Sequence, residues 1–255
     1  MPSLETQPRL LTSYRVDLSY ALYSGQPPVF GFIAPWYPTV EELESWKIAA
    51  TYLPQLVTGV MGKDLAATYR NLRVLSDVLN AEATRQKPLT TPEFQTRLCS
   101  IQYQLLKLQG RLDNVVAETF RLAMLAILAT TFQVPGNKLE FPYLAQKFRA
   151  CIIDTQTSAI DSQNVMLWFL VVGAISTFDL TETWLRERWK IEVPSPMTWD
   201  EARRRLKTVV WIDAIHDKTG QEVFENLTQN RVVVARISPG TLWRGSWTGC
   251  TYELR

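Results

Sequence analysis

The segment VVWIDAIHD, residues 209–217, contains the single histidine of the chain, His216, with Asp213 three residues before it and Asp217 directly after. On a continuing helix, residues three apart share a face, so Asp213 could hold the imidazole and leave a ring nitrogen free as a general acid or base. The competing reading is structural. HDKTG has the composition of a helix C-terminus, where histidine meets the free carbonyls favourably and glycine closes the turn. Two arginines suggest a different chemistry. Arg121 interrupts the apolar run TFRLAMLAIL and Arg149 the similarly apolar KFRAC. A guanidinium on an apolar face needs a partner, either a ligand oxygen or an internal carboxylate such as Asp113, Glu118 or Asp154. Phe120, Trp168, Trp184 and Trp211 have the bulk to wall an apolar binding pocket, although aromatics at helical spacing commonly fill a core. Arg203-Arg204-Arg205 with Lys207 follows Asp200 and Glu201 and reads as a solvated helix face in preference to a phosphate site.

Motif chemistry narrows the field. The sequence contains no Gly-rich phosphate loop, HExxH, CxxC pair, GxSxG elbow or DDxxD-type cluster, so no cofactor is expected and any catalysis would be cofactor-free. That leaves cyclisation, isomerisation or a pericyclic step, accelerated by holding a substrate in its folded conformer. Cys99, Cys151 and Cys250 are odd in number and widely spaced, so neither a disulfide framework nor a metal site is expected, and folding should not need metal. With 27 basic against 25 acidic residues, the charge of +2 is too balanced for a general nucleic-acid surface. The N-terminus lacks the basic and apolar regions of a secretory signal. The longest uncharged run, Ser162 to Phe178, is shorter than the roughly 20 apolar residues that span a bilayer. An intracellular protein, cytoplasmic or nuclear, is expected.

The elements that must position these residues read as helices. Five Thr or Asp residues stand three before a Glu in the manner of a helix N-cap: Thr39/Glu42, Thr90/Glu93, Asp179/Glu182, Thr198/Glu201 and Thr219/Glu222. Leu65, Tyr69, Leu72, Leu75 and Leu79 share one helical face, and further helices are predicted over 93–109, 112–132, 141–157, 164–178, 182–190 and 199–215. FRLAMLAILATTF and VMLWFLVVGAI are apolar enough to lie at the centre. GQPPVFGFIAPWYP suits an extended segment, and RVVVARISPGTLWRGSWTGCTYEL an extended arm or β-hairpin. The expectation is an all-α, single-domain helical bundle, with an extended N-terminal arm over 1–38, the helical domain over 39–230, and a C-terminal arm or hairpin over 231–255.

Several ordered segments resemble the C-terminal regulatory domain of fungal zinc-cluster transcription factors: FRL before an apolar helix, a PG turn, PYLA, VGAISTFD and WIDAIHD. The resemblance covers roughly residues 90–227. The DNA-binding module of that family needs six cysteines in a short N-terminal run, and no cysteine here precedes Cys99. Direct DNA reading is therefore not implied. Two expectations follow. One is a cofactor-independent cyclase or pericyclase of fungal specialised metabolism on a reused regulatory scaffold, with an apolar small molecule as substrate, Arg121, Arg149 and His216 as polar groups, and the aromatics as wall. The other is a non-enzymatic regulatory or ligand-sensing domain.

Overall fold

A computed structural model describes residues 7–32, 36–43, 55–81, 89–132, 139–155 and 163–234. Nine longer helices carry the fold among these residues, and no strand occurs: α1 Gln7–Ser24, α2 Gln55–Asn80, α3 Thr91–Lys107, α4 Val115–Ala129, α5 Pro142–Asp154, α6 Gln163–Ser176, α7 Thr183–Glu192, α8 Trp199–Val209 and α9 Asp213–Val234. The chain is all-α. None of these helices is long and apolar enough to cross a membrane.

A helix that is apolar on every side must be enclosed on every side. In α4 every residue from Thr119 to Ala129 is buried, and in α6 every residue from Val165 to Ser176. The two pack against each other. Phe120 stacks on Trp168 with ring centroids 6.0 Å apart and meets Phe169 edge-on at 4.9 Å. Around this pair, α2, α3 and α5 cover α4, while α5, α7, α8 and α9 cover α6. Truncating a buried Leu here to Ala should cost about 2–5 kcal/mol.

Two expected helix starts appear with their caps. Thr90 and Glu93 form a full capping box on α3, and the Thr198 side chain accepts from the Glu201 N–H at the start of α8. Thr39 and Glu42 make the same reciprocal pair around a single helical turn over residues 40–43. Asp179 is displaced: it organises the turn before α7 by accepting from Thr181, and the helix begins at Thr183. Thr219 starts nothing, because it lies inside α9.

The ends of the chain differ from expectation. The supposed arm over 1–38 contains α1, whose Leu11, Tyr14, Leu18, Ala21 and Leu22 form a buried stripe against α3 and α5. Extended chain begins only after Gly25. There the buried Asp17 carboxylate accepts from the Val29 N–H at 2.8 Å, the Phe30 N–H at 3.0 Å and the Tyr103 hydroxyl at 2.6 Å, holding the segment to the bundle. At the other end α9 runs on to Val234, past the expected boundary at 230. The remainder of the expected hairpin, 235–255, lies outside the described residues.

Candidate functional site

The helix predicted over 199–215 is broken at Val210, which is extended (φ −152, ψ 128), and the chain restarts as a helix at Asp213. A break inside the core exposes backbone groups that need partners. Side chains of distant helices provide them. Tyr69 donates to the Val209 carbonyl at 2.8 Å, the Trp168 indole to Val210 at 2.7 Å, and Ser76 and Asn80 to Trp211 at 2.8 and 2.7 Å. The Asp213 N–H in turn donates to Asn80 at 2.8 Å. Residues 209–213 thus form a seam tied to α2 and α6.

His216 completes the seam. It lies in the first turn of α9, not at a helix C-terminus as its sequence surroundings suggest. The Ile212 N–H donates to its Nδ1 at 3.2 Å, so the proton sits on Nε2 and faces Thr130 Oγ1 at 2.9 Å. The Thr130 hydroxyl in turn donates to the Ile127 carbonyl at 2.6 Å. Burial is the main force on the ring and pulls its pKa down to about 4. A charge there would also face the positive end of α9. His216 is therefore neutral at physiological pH, with both ring nitrogens hydrogen-bonded.

Its flanking aspartates do not orient it. Asp213 accepts from Arg203 at 2.8 Å and Lys207 at 2.7 Å, and Asp217 accepts from Arg203 at 3.0 Å and from the Trp211 indole at 2.8 Å. Burial works against the Asp217 carboxylate, but donation from Arg203 and Trp211 outweighs it and lowers its pKa. Arg203 and Lys207 therefore clamp α8 to the start of α9, and the basic run is not a free solvated face. Gly220, which had suggested a helix stop, serves close packing: a Cβ there would lie 2.7 Å from Trp211 and 2.9 Å from Trp199.

The other expected site residues are divided between core and surface. Arg121, 1% exposed, donates twice to Glu118, at 2.7 and 2.6 Å, one turn before it on α4. Arg149 is paired with Glu182 and its side chain is 42% exposed, so it does not occupy a dry site. For Glu182, burial is outweighed by donation from Trp184, the Asp179 N–H and Arg149, which lowers its pKa. Phe120, Trp168 and Trp211 are buried in the packed interior, and Trp184 stands edge-on to Phe178 at 5.0 Å. Among the described residues, no group of three or more His, Cys, Asp or Glu is placed to hold a metal ion.

A groove of about 1120 Å³ opens between the start of α5, the end of α6 and the first half of α9. Of the seven expected site residues only His216 lines it, beside Thr130. Ala174, Ile175, Phe178, Leu180, Ile215 and Val223 supply apolar wall, while Glu140, Asp179, Lys218 and Glu222 place charges along it. Gly173 shapes it: Phe178 folds back onto α6 so closely that a Cβ at residue 173 would lie 1.9 Å from its ring. The sequence signal for these residues was a four-residue rhythm on α9, Ile215–Thr219–Val223 beside Lys218–Glu222–Asn226, hidden while 213–220 read as the end of a helix. No family model, curated protein or solved structure matches the chain.

Proposed function

We propose that the chain is a non-enzymatic ligand-binding domain, of a sensing or regulatory kind, that holds an apolar small molecule in the groove between α5, α6 and α9. One observation carries this reading. The groove has the size and apolar wall of a ligand site, yet its one buried titratable group, His216, spends both ring nitrogens on Ile212 and Thr130. The wall supplies affinity, and Lys218, Thr177 and Thr219 along the groove supply polar contacts that orient the ligand. The resemblance to a regulatory domain points the same way.

A cofactor-free cyclase or pericyclase is the second reading, favoured by the dimensions of the groove, which suit confinement of a flexible substrate in a folded conformer. Its polar help would come from Lys218, because Arg121 and Arg149 are committed to Glu118 and Glu182.

The test is equilibrium binding of the neutral apolar dye Nile red to the wild type and to Ala214→Trp, which puts an indole into the groove from an exposed position on α9. Saturable binding that weakens at least about tenfold in the variant, or about 1.4 kcal/mol, with an unchanged melting temperature, supports the groove as the site. Equal binding by both proteins contradicts it. Metabolites extracted from the organism separate the two readings: one recovered unchanged from the protein supports sensing, and one converted supports the cyclase.

A further inference from the structure

Helix α1 is apolar on two sides, and among the described residues only one of them is covered. Opposite its buried stripe, Val16, Tyr20 and Tyr23 stand at successive turns and are 66%, 54% and 57% exposed. From Thr12 to Tyr23 this outward face bears no charge: Thr12 and Ser13 are its other exposed residues, Arg15 is half-buried on the flank and Asp17 is buried. The Asp17 carboxylate also fixes Val29 and Phe30 beside it through their N–H groups, and these are 78% and 52% exposed. A surface helix normally turns a charged or polar face outward. A fixed, uncharged patch with two tyrosines and a phenylalanine has the composition of an interface core, and its rigidity lowers the entropy lost on association.

We propose that this face joins two copies of the chain in a two-fold dimer, α1 of one against α1 of the other. An isologous contact sets a patch against itself, and a charged patch would then meet its own charge. This one has none between Thr12 and Tyr23. Rings of roughly 150–250 Å² each, a little over half exposed, together with the two valines offer on the order of 500 Å² per copy. Thr12, Ser13 and Ser19 at the edge bring this toward the roughly 800 Å² per partner of a standard interface.

Sedimentation velocity of the full chain from about 1 to about 100 μM covers the affinities such an interface gives. The wild type should rise from 29.2 kDa to twice that mass. Tyr20→Glu, which places like charges across the axis, should weaken the dimer at least about 100-fold. Val29→Glu, at a side chain that is 78% exposed, should weaken it as well. Circular dichroism spectra should stay unchanged. A wild type that remains monomeric throughout, or a dimer indifferent to both substitutions, overturns the proposal. A monomer that binds a different protein through this face overturns it equally.

Discussion

Acid should destabilise this protein through His216. The ring is 1% exposed, and burial, the dominant influence, lowers its pKa from 6.5 to about 4 against the opposing charge of Asp217. A base with a lowered folded pKa binds more protons when unfolded, so its contribution is complete above pH 6.5 and is lost as the pH falls toward 4. At 1.36 kcal/mol per unit, the whole shift corresponds to roughly 3 kcal/mol, of which roughly 2 is gone by pH 5. Geometry gives the same sign: a second ring proton would have to sit on Nδ1, where the Ile212 N–H already points. Because the chain has one histidine, no other side chain of ordinary pKa changes charge between about pH 7 and about pH 5. Urea unfolding across that range should show the loss in the wild type. His216→Gln, which cannot titrate, should be less stable at neutral pH but nearly flat with pH. A flat wild-type profile, or an equal slope in the variant, would refute the burial and bonding assigned to the ring.

Three further outcomes follow from the packing. Glu118→Gln strips charge from the partner of the buried Arg121 and should cost about 3 kcal/mol in urea unfolding, more than Arg121→Met, which leaves a half-buried carboxylate within reach of water. Arg121→Met should leave Nile red affinity unchanged. Gln102 is fully buried on α3 with neither side-chain amide atom hydrogen-bonded, so Gln102→Met should stabilise by about 1–2 kcal/mol; a loss of stability in urea would mean that the amide has a partner. Gly173→Ala should displace Phe178 and lower stability by about 1–3 kcal/mol, with weaker Nile red binding because Phe178 lines the groove.

What the sequence revealed was local. Thr90 and Glu93 lie within one turn of each other, and the all-round apolarity of α4 and α6 requires no knowledge of neighbours, so both could be read directly. The break at Val210 could not. It is stabilised by Tyr69, Ser76, Asn80 and Trp168, more than 40 residues away in the chain, and without those partners VVWI continues a helical pattern. Once that helix is wrongly extended, His216 falls at its end instead of the beginning of the next, and Gly220 looks like a stop signal. Arg121 stayed open between two partners for a related reason: Glu118 was visible three residues away, but nothing in the sequence decided between it and a ligand. The groove wall escaped notice because Ala174, Ile175 and Val223 are ordinary apolar residues whose convergence depends on how α6 and α9 cross.

The groove as ligand site is tested most directly by methyl-region NMR of selectively labelled protein titrated with Nile red. The account predicts saturable shifts of the Ile175, Ile215, Leu180 and Val223 methyls, which line the groove, while Leu122 and Ile127 in the buried α4 stay in place. Shifts centred on α4 with the groove methyls unmoved, or no saturable shift at any methyl, would contradict it.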